Sequence, residues 1–61
     1  MSETILEIFR NGDSDNSSTF RCYRLGSLRL ELEGLSWIRA QEKLEFYAEC
    51  WPNAEITIDC R

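Results

Sequence analysis

Within "LRLELEGLSWIRA" (Leu28–Ala40) the spacing of apolar residues changes once, and that change decides the fold. Leu28, Leu30 and Leu32 alternate strictly with Arg29, Glu31 and Glu33, the period of a strand with its leucines pointing to a core. Gly34 predicts the end of that strand. Ser36 then stands where a helix N-cap belongs, with Leu35 ahead of it as a staple residue. From there Trp37, Ala40, Leu44, Tyr47, Ala48 and Trp51 recur at helical spacing. Pro52 ends the helix, because a proline pushes the residue before it out of the α region.

Upstream, "ETILEIFR" (Glu3–Arg10) predicts a strand with Thr4, Leu6 and Ile8 on one face and Ile5, Glu7 and Phe9 on the other. "NGDSDNSS" (Asn11–Ser18) holds nothing that packs and predicts a mobile loop. "TFRCYRLG" (Thr19–Gly26) predicts a second strand antiparallel to the first, with Phe20 and Cys22 opposite Arg21, Tyr23 and Leu25, and Gly26-Ser27 as the turn that follows it. After the helix, "AEITIDC" (Ala54–Cys60) predicts a last strand with Ile56, Ile58 and Cys60 inward and Glu55, Thr57 and Asp59 outward. The order β-β-β-α-β over residues 1–61 predicts a single α+β domain of two layers, one helix on one face of an antiparallel or mixed sheet.

Composition narrows the function. An apolar fraction of 43% and a charged fraction of 30% suit an ordinary folded domain. At 61 residues the chain buries only about 60% of its unfolded surface, so stability is expected to be marginal. There is no run of about 18 apolar residues and no basic, apolar leader at the start, so no membrane contact is expected and the cytosol is the expected compartment. Histidine is absent, which removes Ser-His and Cys-His nucleophile pairs, an imidazole base and the usual zinc sites; no enzyme, metal or cofactor is expected. Cys22, Cys50 and Cys60 form an odd set without C-x-x-C spacing and read as reduced and mostly buried, a Cys22–Cys60 bridge between strands being the alternative.

The net charge of −4 is unevenly placed. Through Leu30 the acids Glu3, Glu7, Asp13 and Asp15 balance Arg10, Arg21, Arg24 and Arg29, whereas from Glu31 onward seven acids face Arg39, Lys43 and Arg61. Direct nucleic-acid binding calls for the opposite sign. On the helix, Glu42, Glu45 and Glu49 share one flank with Ile38, where like charges at these spacings cost about 0.2–0.5 kcal/mol each. Arg39 in the first turn and Glu49 in the last also oppose the helix dipole. Two readings are open: a solvated flank neutralised by arginines of the sheet, or a surface, extended by Glu31, Glu33, Glu55 and Asp59, that a basic partner recognises.

Phe46 and Cys50 project from the side opposite the tryptophans, and Phe46 is a contact candidate. Tyr23, with Ile5 and Phe9, forms a second one on the open sheet face. Trp37 and Trp51 lie on the apolar stripe and read as core anchors. "DSDNSS" begins like a calcium loop with Asp13, Asp15 and Ser17. It lacks the required glycine and glutamate, since Ser18 and Arg24 occupy those positions.

In its small size, acidity and β-β-β-α-β layout the chain resembles the inhibitor proteins made by bacteriophages, the anti-CRISPR proteins first among them. The resemblance implies a stoichiometric inhibitor that binds a host protein or ribonucleoprotein complex in the bacterial cytosol, occupying a basic surface where DNA or RNA would lie. Partner-binding candidates are therefore Glu42, Glu45, Glu49, Phe46, Glu31, Glu33, Glu55, Asp59 and Tyr23. The rival readings are a small homodimeric adaptor acting through Phe46, Cys50 or an edge strand, a regulator that folds fully only when bound, and, more remotely, a thiol enzyme.

Overall fold

The computed structural model describes residues 3–12 and 16–60. Asp13 and Asp15, the acids of the calcium-loop comparison, and Arg61 of the charge count lie outside the described residues. Four strands and one helix follow in the order β1 (Thr4–Arg10), β2 (Ser18–Arg24), β3 (Ser27–Leu35), α1 (Trp37–Cys50) and β4 (Glu55–Cys60). The sheet runs β3-β2-β1-β4. β1 pairs antiparallel with β2 and parallel with β4, and β2 pairs antiparallel with β3, so the sheet is mixed and the fold is α+β. β3 and β4 form its two edges.

The β2–β3 turn differs from expectation. Leu25 and Gly26, not Gly26 and Ser27, are its central residues, with φ of 54° and 80°. Both lie in the left-handed region, the backbone of a hairpin turn whose twist matches the strands. A leucine there carries about 1–2 kcal/mol of strain, and its N–H is held by the Glu3 carbonyl at 2.8 Å. Gly34 does not stop β3 either. It adopts φ 71° beside a register shift, and the strand bends and runs on to Leu35. A second shift, between Cys22 and Tyr23, sets Leu28 opposite Tyr23 instead of in the inner row of Leu30 and Leu32, and leaves it exposed.

Ser36 caps α1 as the sequence predicts: its Oγ accepts the Arg39 N–H at 3.2 Å. The helix lies on Leu6, Ile8, Phe20 and Cys22 with Ala40 and Leu44 as its buried contacts; Leu30, Leu32, Trp37, Tyr47 and Trp51 close the margin. Tyr47 is stacked between Phe20 and Trp51, with ring centroids 5.2 and 5.7 Å away. Such aromatic pairs contribute about 0.5–1.5 kcal/mol beyond the area they bury.

Helix and sheet differ in width. Four strands span about 14 Å between the outer backbones, and one helix with its side chains is about 10–12 Å across. α1 packs on β1, β2 and β3, and its backbone stays farther from β4, with no Cα pair within 8 Å. Ile56 and Ile58 sit beside Leu6 and Ile8 on the helix side of the sheet, where the alternation placed them. Yet Leu6 and Ile8 are 0% exposed, while Ile56 and Ile58 are 50% and 59% exposed. The inward assignment of β4 was right for the face and wrong for burial.

Ile8 and Ile58 are paired neighbours in different surroundings, which gives a direct comparison. Ile8→Ala should cost about 2–5 kcal/mol in urea denaturation, enough to unfold much of a chain this short. Ile58→Ala should cost less than about 1 kcal/mol. Equal losses would show that β4 is covered.

Candidate functional site

The charged side chains divide by face. On the face away from the helix, Arg21 lies among Glu7, Glu31 and Phe9. Its Nε donates to Glu31 Oε2 at 2.7 Å, its Nη1 is 3.5 Å from Glu7 Oε1, and its guanidinium carbon is 5.1 Å from the Phe9 ring centroid. The Glu31 hydrogen bond holds the Arg21 proton more tightly than usual. Glu7, Phe9, Arg21, Thr57 and Asp59 line a shallow hollow of about 250 Å³ there. Tyr23, Ile5 and Phe9 are only partly exposed on this face.

At the other end of β2, Arg24 lays its guanidinium on Trp51, 5.0 Å from the ring centroid, beside a cleft of about 610 Å³ that also borders Thr4, Cys50 and Asn53. Its Nε is buried without a hydrogen-bond partner among the described residues, an arrangement that costs about 1–3 kcal/mol unless offset. Two attractions oppose that cost: the cation–π contact, and the negative end of α1, whose own last turn has no basic residue. Arg24 thus supplies from the sheet the cation that the last turn of the helix lacks.

The helix flank is different. Glu42, Glu45 and Glu49 are exposed, and among the described residues none of them has an ion pair within 4 Å. Tyr47 stands at one border of the buried stripe and reaches Phe20 of β2, so its neighbours Lys43, Phe46 and Cys50 lie toward β3. The opposite flank, with Glu45 and Ile38, lies toward β1 and β4, while Glu42 and Glu49 beside them point more directly away from the sheet. Ile38 is 68% exposed. Phe46 is 60% exposed and packs edge-on against Tyr47 at 5.2 Å, folded toward the helix margin while still open to solvent.

The nine sequence candidates therefore do not form one patch. Glu42, Glu45 and Glu49 come together, and Phe46, four residues from Glu42 and three from Glu49, lies next to them on the outward side of the same helix. Glu31, Glu33, Glu55 and Asp59 take strand positions on the face away from α1, with Glu31 bound to Arg21. Ile56 and Ile58, which the alternation assigned to the core, are added to the surface near the acidic flank. Nothing in the period of β4 marks them; only strand order and helix width do.

Among the described residues no group of three or more Cys, Asp or Glu side chains is placed to hold a metal ion, and no helix is long and apolar enough to cross a membrane. All three cysteines are free, but only Cys22 is buried; Cys50 and Cys60 are exposed, contrary to the expectation of mostly buried thiols. Cys22 and Cys60 sit on β2 and β4 with β1 between them and are offset by four residues along the strands, about 16 Å apart by strand geometry and outside the reach of a disulfide. No protein-family model, no curated protein and no solved structure matches this chain.

Burial pushes the Cys22 thiol up. The unfolded chain therefore loses this proton first, and this contribution to stability is intact below the ordinary thiol range, about 8.5, and falls as the pH rises beyond it. With a water-soluble alkylating reagent at pH 8, Cys50 and Cys60 should be modified in the folded protein and Cys22 only after denaturant is added, read by mass spectrometry. Modification of all three at one rate would contradict this burial.

Proposed function

We infer that this chain is a non-enzymatic binding protein whose acidic helix flank docks on a basic surface of a larger partner. One observation carries the reading. Three carboxylates stand together on a rigid helix without an ion pair among the described residues, while the arginines nearest the core act elsewhere: Arg21 on Glu7 and Glu31, Arg24 on Trp51. Like charges at these spacings and a reversed helix dipole both work against the isolated helix. A cationic partner relieves both.

The class of partner follows from the sign and the spacing. Carboxylates on a firm support compete for lysines and arginines that otherwise hold phosphates, with fast, salt-sensitive association. A net charge of −4 is modest beside a nucleic-acid duplex, so apolar contacts from Phe46 and Ile38 share the affinity. In its specific form the reading is that of a small phage-type inhibitor, similar to the anti-CRISPR proteins in size, acidity and layout, which blocks the nucleic-acid channel of a host protein or ribonucleoprotein complex.

The test is the triple variant Glu42→Lys/Glu45→Lys/Glu49→Lys. In capture experiments from bacterial lysate at low and high salt, the parent should retain a nucleic-acid-binding complex at low salt and release it at high salt. The variant should retain at least about tenfold less, with a melting temperature within a few degrees of the parent. Equal capture by the variant would end the acidic-flank reading.

A further inference from the structure

The two edges of the sheet are built differently. β3 is broken by two register shifts and bent at Gly34, the kind of irregularity that keeps an edge from recruiting further strands. β4 has none. It stays in unbroken register with β1 from Glu55 to Cys60, holds no proline or lysine, and presents its outer backbone groups along its length. Its side chains alternate as well. Glu55, Thr57 and Asp59 are on the open face, and Ile56 and Ile58 are on the helix face, half or more exposed because α1 does not reach them.

The geometry points to β4 as a strand-docking edge: an extended segment of a partner protein, alternating apolar with lysine or arginine side chains, joins the sheet as a fifth strand. Its backbone pairs with the free edge of β4. Its apolar residues lie beside Ile56 and Ile58, and its basic residues fall on the open face beside Glu55, where opposite charges on neighbouring strands attract. On the helix side the Glu42–Glu45–Glu49 flank adds a field of the same sign. The inference deepens the binding reading above and rests on it: it names the secondary structure and side-chain pattern of what is bound.

Charge also decides against the other obvious occupant, a second copy of this chain. Pairing two β4 strands about a two-fold axis through Thr57 sets Glu55 opposite Asp59 of the copy. The same axis stands normal to the sheet, so both helices stay on one side with their Glu45 sides turned toward each other. Like charges directly opposed are destabilising, and this pairing opposes Glu55 and Asp59 twice on the open face. A basic strand meets the opposite sign at each of those places.

The experiment uses the full chain, isotope-labelled for NMR, and a short peptide alternating lysine with valine. Two controls accompany it: a peptide of the same composition with the lysines and valines in separate blocks, and the alternating peptide N-methylated along one edge. The alternating peptide should shift the amides of Glu55–Cys60 and slow their hydrogen exchange. N-methylation, or the protein variant Ile56→Thr/Ile58→Thr, should weaken binding about tenfold or more. Because both isoleucines are exposed, the variant should keep its fold, checked by an unchanged amide spectrum outside β4. Shifts confined to α1 and equal for both lysine peptides would overturn strand docking while leaving the acidic flank as the contact surface. Shifts at neither place would overturn both readings.

Discussion

One helix has to serve a sheet wider than itself, and where it sits determines nearly everything else about this molecule. The seat is set by Leu6, Ile8 and Phe20 on the two inner strands and by Ala40 and Leu44 above them. Alanine at position 40 lets the helix backbone come close to the sheet, and Tyr47, stacked between Phe20 and Trp51, keeps it from sliding toward β4. A domain this short has one small core, and its single helix is the whole of the layer above the sheet. The strand left over, β4, is therefore held mainly by its ladder to β1.

Electrostatics follows from the same placement. Two of the sheet's cations are engaged away from the helix flank: Arg21 binds two glutamates on the open face, and Arg24 covers Trp51 where the helix dipole is negative. Of the acids of α1, Glu45 is on the side toward β4 and Glu42 and Glu49 point outward beside it. Exposed isoleucines and carboxylates without ion pairs among the described residues thus occupy neighbouring parts of the molecule, for one reason: no element among the described residues lies over them. Apolar area supplies affinity and charge supplies steering and choice of partner; this surface has both.

The parts of the fold legible in the sequence are those set by local period and capping. The alternation of Leu30, Glu31 and Leu32, the Ser36 cap, the stripe from Ala40 to Trp51 and the stop at Pro52 each reduce to neighbours a few residues apart. What was not legible depends on distant pairings. Leu25 occupies a left-handed turn position that a leucine disfavours, because the ladder between Arg24 and Ser27 sets the turn there. Gly34 reads as a stop and is a bend, since Leu35 still finds Ser18 across the sheet. Ile56 and Ile58 have the pattern of buried residues, and their exposure follows from β4 lying beyond β1 at the edge. The acidic flank was legible as a cluster of like charge; its lack of ion pairs among the described residues, and the engagement of Glu31 by Arg21, were not.

Solvent access to the methyl groups of the free protein tests this placement most directly. With a soluble paramagnetic agent added to a dilute sample, the methyl signals of Ile56 and Ile58 should relax strongly while those of Leu6 and Ile8, one strand away on the same face, stay nearly unaffected. If Ile56 and Ile58 are shielded as well as Ile8, something already covers β4, and the account of an edge left open by a single narrow helix is wrong.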